Sequence, residues 1–166
     1  LAIAGCDAAP PNHDVYATGN SNLWFVDDDH SQLEKTRSLV AAPDPTTSPR
    51  NVVRIAHLDT GYDDNHVTKP RFLNKRLARN FVDDDRPNDA TDRPTAAINP
   101  MLGHGTGTLS ILAGKDIGGR SFGAAANLDI VPVRVANWVV LFTNSAIARA
   151  FDYVHSLCDD EATRIH

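Results

Sequence analysis

Two stretches of the 166-residue chain carry residues able to move protons. "VVRIAHLDTG", residues 52–61, contains Asp59, and "MLGHGTGTLSILAG", residues 101–114, holds His104 between two glycines. A histidine acting as a general base needs a carboxylate that fixes its tautomer and stabilises the imidazolium as it forms. An aspartate at the C-terminal end of a parallel strand is well placed for that task, because sites in α/β folds lie along that edge. Asp59 and His104 are therefore the candidate catalytic residues. Gly103, Gly105 and Gly107 around the histidine let the backbone come close and leave room for a substrate.

Two other chemistries compete for these residues. "GRSFG", residues 119–123, matches the G-x-S-x-G nucleophile elbow with Ser121 as nucleophile. That motif needs a strand before it and a helix after it. Here "KDIGG" precedes it and a strand follows, so the stretch is expected to be a glycine-rich turn. "AHLDTGYDDNHV", residues 56–67, resembles the signature of aspartic proteases, and the two acids after the glycine are similar to the retroviral type. In that family two such aspartates, one from each subunit of a homodimer, share a proton and activate water. Tyr62 stands where Ala, Ser or Thr usually follows, and "ILAG", residues 111–114, is a loose match to the second segment such a site needs. This alternative gives His104 no task.

The remaining titratable clusters have simpler readings. His57, two residues before Asp59, is expected to be a strand or surface residue, and His66 a structural one. Asp27 to Asp29 suit a helix N-terminus through the macrodipole. "DDDRPNDATDRP", residues 83–94, lacks the central glycine and terminal glutamate of an EF-hand loop and reads as solvated. Cys6 and Cys158 form no C-x-x-C pair, so a zinc or redox site has no support, and two unrelated thiols are expected. The opening "LAIAGC" is similar to the end of a bacterial lipoprotein signal, but no positive n-region precedes it.

Several elements must position Asp59 and His104. Residues 28–41 read as a helix, with Ser31 and Glu34 at capping-box spacing. "APDPTTSPRN", residues 42–51, is a linker by composition, with three prolines in ten residues. Val52, Val53, Ile55 and Leu58 predict a buried strand that runs into the Asp-Thr-Gly turn. "LDIVPVRV", residues 128–135, predicts a second buried strand, against which Pro132 is a mild objection. "NSAIARAFDYVHSL", residues 144–157, predicts a helix capped by Asn144, with Ile147, Phe151, Val154 and Leu157 or Cys158 on one face. Over 104–113, propensity by itself favours a strand: hydroxyl residues alternate with others, and two glycines each cost a helix about 1 kcal/mol. The order of elements points to an α/β fold with parallel strands.

Composition agrees with a packed domain. Apolar residues make up 42% and charged residues 22%, ordinary values for a globular protein. The net charge of -5 argues against a nucleic-acid footprint, which is basic and clustered. No apolar run approaches the roughly 20 residues that span a bilayer.

Taken in order, these stretches resemble one family. "VVRIAHLDTG" is similar to the aspartate motif of subtilisin-like serine proteases, the subtilases. "GHGTGTLSILAG" resembles their histidine motif, in which H-G-T opens a buried helix. "FGAAANLDIVPVRV" is similar to their G-x-A-P-x-A segment and next strand, with alanine where proline is usual, and "NSAIARAFDYVHS" fits the helix after it. The order Asp then His is the subtilisin order. The similarity spans about residues 50 to 166.

The resemblance implies a three-layer α/β/α fold with a mainly parallel sheet, incomplete in this chain. Residues 1–50 would be a pre-catalytic segment, including the end of a propeptide, and 51–166 the N-terminal part of the catalytic domain. It implies a serine endopeptidase with protein or peptide substrates, Asp59 as the orienting carboxylate and His104 as general base and acid. The family's nucleophile lies in a G-T-S-x-A motif, and no such string occurs here. The fragment alone is thus expected to be inactive, with self-association through an open sheet edge. A non-catalytic module on this fold is the other alternative. No cofactor is implied for the chemistry. Calcium is common in the family, but Thr68 stands where an aspartate ligand often lies and Ile117 where a side-chain oxygen is expected, with Asp116 the nearby acid. The family favours a secreted or cell-envelope location.

Overall fold

A computed structural model describes residues 29–39, 52–94, 101–119, 122–139 and 144–166. Cys6, the linker at 42–51 and Ser121 lie outside the described residues. The described elements are helix α1 (Leu33–Leu39), strand β1 (Arg54–Asp59), a 3-10 turn (Lys75–Leu77), strand β2 (Arg79–Asn80), helix α2 (His104–Ala113), strand β3 (Asp129–Arg134) and helix α3 (Ser145–Cys158). All pairing is parallel, in the order β1-β3-β2. Arg54 pairs with Asp129 at one end of β1 and Asp59 with Arg134 at the other.

Alternation along the strands separates two cores. Ile55 and Ile130 point to one face, where Leu109 and Ala113 of α2 cover them. Ala56, Leu58, Val131 and Val133 point to the other, against Ala150 and Leu157 of α3. The period of two places successive side chains on opposite faces, so each face needs its own helix. The outcome is the expected three-layer α/β/α arrangement with a parallel sheet. It also puts His57 and Asp59 on the α2 side.

β3 is the central strand, and almost every residue in it is buried. Such a strand reads as a continuous apolar run. Pro132 is tolerated there for a local reason. Even-numbered residues of β3 direct their backbone toward β2: Ile130 N donates to Phe72 O, and Phe81 N donates to Arg134 O. Between these contacts the neighbouring chain turns through the 3-10 segment. The absent N–H of Pro132 therefore costs no ladder bond.

Several expectations need correction. β1 is not fully buried; its six residues are all intermediate, and Val53 before it is 49% exposed. Among the described residues β1 pairs only with β3, so one edge has no strand beside it. Residues 104–113 form the helix that the resemblance to the histidine motif implies, not the strand that propensity by itself favours. Thr106, Leu109, Ser110 and Ala113 are its buried stripe, at helical spacing. Both hydroxyls on that stripe are satisfied internally. Thr106 Oγ1 accepts from Asp63 N at 2.8 Å, and Ser110 Oγ donates to Thr106 O at 2.7 Å. The helix is buried on one side only, with Ile111 58% exposed. In α3 the inward face centres on Ala150, which leaves Phe151 61% exposed. Asn144 is the N-cap residue, yet its side chain makes no capping bond.

α1 is shorter than expected, and Ser31 Oγ accepts from Leu33 N at 3.3 Å. Arg37 on α1 donates to the carbonyls of Gly123 and Ala124. Those residues belong to the segment that closes the C-terminal end of α2, where Ala124 N and Ala125 N donate to Ile111 O and Leu112 O. Cys158 is a free thiol. Among the described residues, no helix is long and apolar enough to cross a membrane.

Candidate active site

β1 delivers Asp59 at its C-terminal end, and α2 opens on His104 directly above it. Three successive contacts join the Asp-Thr-Gly turn to the start of the helix. His104 Nδ1 lies 2.7 Å from Asp59 Oδ1, Gly105 N donates to Thr60 Oγ1 at 3.2 Å, and Asp63 N donates to Thr106 Oγ1 at 2.8 Å. The first turn of a helix has N–H groups without intrahelical partners. Thr60 takes one of them and thereby ties the histidine helix to the aspartate strand.

The residue before His104 sets the angle of approach. Gly103 is the N-cap and has φ 81, the left-handed conformation that favours glycine. Its N–H donates to Asp92 Oδ2 at 2.6 Å. Asp92 comes from the 83–94 segment, where Asp84, Asp85 and Asn88 are exposed as its composition suggests but Asp83 and Asp92 turn inward. Asp83 from the same segment accepts from Arg134 Nη1 at 2.6 Å, and Arg134 is completely buried. Arg134 Nη2 also donates to Asn137 Oδ1 at 2.6 Å. A buried guanidinium survives only when it is paired and hydrogen-bonded. The acids of this loop supply that charge beneath the site.

The Asp59 carboxylate is well saturated. Oδ1 accepts from Thr60 N at 2.7 Å and faces His104, while Oδ2 accepts from Thr108 Oγ1 at 2.9 Å. Burial alone raises its pKa. The hydrogen bonds from His104, Thr60 and Thr108 outweigh burial and hold the group below the usual carboxylate range. Asp59 is therefore an anion at neutral pH. Asp92 goes the other way: burial pushes its pKa up, against the opposing effects of the Gly103 N–H and Arg134.

His57 is a strand residue of β1, as expected, and its ring also reaches this cluster. Its Nε2 lies 3.0 Å from Thr108 Oγ1 and 3.6 Å from Asp59 Oδ2. Burial lowers its pKa, more strongly than Asp59 raises it. His66 Nδ1 lies 2.7 Å from Thr68 Oγ1. Two spacings in the sequence pointed to the cluster: His57 is two residues from Asp59, and Thr108 is four from His104. Nothing in the sequence pointed to Asp92.

The His104 side chain is 26% exposed, against 12% for Asp59, and among the described residues no group takes Nε2. A ring held through Nδ1 by a buried anion can accept a proton at Nε2 and be stabilised as a cation. The Thr68 hydroxyl is buried and bonded to His66 and Ser110, and Ile117 has no side-chain oxygen. Among the described residues, no group of three or more His, Cys, Asp or Glu could hold a metal ion.

No curated protein and no solved structure matches this chain. A family model does: Peptidase S8, the subtilase family, over residues 50–166. The match takes in β1, α2, β3 and α3, and with them both halves of the Asp59–His104 contact. The chain therefore belongs to the subtilases, a family of serine peptidases.

Proposed function

We propose that Asp59 and His104 are the orienting carboxylate and the general base and acid of a serine endopeptidase that cleaves protein or peptide substrates. The observation that carries this reading is the 2.7 Å contact between His104 Nδ1 and Asp59 Oδ1. With Nδ1–H donated to Asp59, the Nε2 lone pair is left to take the proton of an attacking serine hydroxyl. The anionic Asp59 then stabilises the imidazolium, which returns its proton to the leaving amine. This chemistry assigns no task to a cofactor.

The serine is not among these 166 residues by motif, since no G-T-S-x-A string occurs. The test is a serine-directed phosphonate probe. The 166-residue chain takes no label. A longer polypeptide from the same gene that contains such a string takes one label at that serine and loses it in His104→Ala. Stoichiometric labelling of a serine within residues 1–166 would overturn the assignment. Absence of labelling in the longer polypeptide would favour a non-catalytic module.

The aspartic-protease alternative asks Asp59 to share a proton with a second aspartate. Against it, both Asp59 oxygens already accept hydrogen bonds, from Thr60 N, His104 and Thr108, and its pKa is lowered. Inhibition by a pepstatin-type compound, without phosphonate labelling, would restore that alternative.

A further inference from the structure

Only one oxygen of Asp59 faces His104. The other is held by a pair of residues that the proposed proton relay does not require. Thr108 Oγ1 lies 2.9 Å from Asp59 Oδ2, and His57 Nε2 lies 3.0 Å from the same hydroxyl. His57 and Asp59 Oδ2 are 3.6 Å apart, too far for a direct hydrogen bond. Thr108 is therefore the link.

Hydrogen counting gives the chain a direction. A threonine hydroxyl has one proton to donate. It can reach Asp59 Oδ2 or the Gly105 carbonyl, 3.1 Å away. A bond to an ionised acceptor is roughly twice as strong as one to a neutral acceptor, so the proton goes to Asp59. Thr108 Oγ1 can then only accept from His57. That requires a proton on His57 Nε2.

We propose that His57 is a positioning residue, which acts through the Thr108 hydroxyl to fix the Asp59 carboxylate with Oδ1 aimed at His104. The proposal rests on the reading of Asp59 and His104 as carboxylate and base. Its support is geometric. β1 alternation sets His57 on the face of Asp59, and the helical spacing of four sets Thr108 below His104. His57 is 13% exposed and lies on the inner side of Asp59, whereas His104 is 26% exposed. Even a half-buried hydroxyl and imidazole cost free energy unless each is satisfied, and here each satisfies the other. Burial also keeps His57 neutral, with His104 acting in the same direction. A neutral donor orients the carboxylate without neutralising it, so the full anion remains to stabilise a protonated His104.

The experiment is nitrogen-15 NMR of the imidazole rings in the 166-residue chain at neutral pH. The expected result is a single His57 tautomer protonated at Nε2, together with a low-field Nδ1 proton on His104. Thr108→Val and His57→Val should each speed the exchange of that His104 proton with water about tenfold, the effect of one lost hydrogen bond. His57→Gln, which keeps an N–H donor at similar reach, should restore slow exchange. A merely structural histidine would show no such rescue. A His57 ring protonated at Nδ1, or exchange unchanged in both valine variants, would overturn the proposal. Should the valine variants fail to fold, the wild-type tautomer and the glutamine variant decide. A different failure marks the underlying reading: if His104 shows no Nδ1 proton, or Asp59→Asn leaves that proton unmoved, the catalytic pair itself is wrong.

Discussion

Gly105 packs directly against the carbonyl oxygen of Gly61, so closely that a β-carbon at position 105 would collide with backbone. This contact brings the start of the histidine helix down onto the aspartate turn. Gly105→Ala should therefore destabilise the protein by about 1–3 kcal/mol through overpacking and should lengthen the Asp59–His104 contact. Gly107, two residues on, has nothing within 4 Å of an added β-carbon. Gly107→Ala should gain up to about 1 kcal/mol from helix propensity. Denaturant unfolding of both variants checks the opposite signs; equal effects would contradict the packing account.

Asp59 links stability to acid pH. Burial raises its pKa, and the bonds from His104, Thr60 and Thr108 lower it further than burial raises it, to below the ordinary value of 3.8. A carboxyl whose folded pKa is depressed contributes stability that is present above its unfolded pKa. That contribution is lost as pH falls through the folded value. The loss should therefore appear below pH 3.8, and Asp59→Asn should flatten the stability curve there. A wild-type curve and an asparagine curve with the same acid slope would refute this.

Asp92 separates the value of its oxygen from the cost of its charge. Burial, the largest influence, raises its pKa, so its contribution is favourable at low pH and falls as pH rises through the folded value. The Gly103 N–H nevertheless needs an acceptor. Asp92→Ala should cost about 0.5–2 kcal/mol, the usual effect of losing a helix-start acceptor. Asp92→Asn keeps an oxygen without the charge and should be no less stable than wild type at pH 7. Thermal melts at pH 7 test the pair, and an asparagine variant as unstable as the alanine one would be the contrary result.

The outer edge of β1, which His166 meets at Arg54 but beside which no described strand lies, and the exposed Phe151 offer surface for self-association. Among the described residues, β1 has a strand on one side only, and Phe151 is 61% exposed. Open edges and apolar patches recruit partners. Sedimentation of the 166-residue chain should show association that grows with concentration and weakens in Phe151→Lys. A monomer at every concentration would count against it.

How much of this was legible beforehand depended on whether a residue's surroundings are local. β1, β3 and α3 follow from apolar runs at periods of two and 3.6, which are properties of short stretches. The pairing of Asp59 with His104 followed from two motifs in order, each a local string. α2 did not follow from propensity. Its buried stripe contains Thr106 and Ser110, whose hydroxyls look polar until Asp63 N and the helix's own carbonyl satisfy them. Periodicity defines a stripe only to within about one residue and so places Phe151 on the inner face; contact with the sheet centres that face on Ala150.

What only the tertiary structure decided is the surroundings of the pair. "DDDRPNDATDRP" is polar by composition, yet Asp83 and Asp92 face inward because Arg134 and the Gly103 N–H, distant in sequence, need them. His57 is unremarkable two residues before an aspartate until α2 lays Thr108 between them. Local order determines which residues share a face. Which partners meet across that face depends on the register of β1 with β3 and on the descent of α2 at Gly105, and no single stretch of sequence contains either.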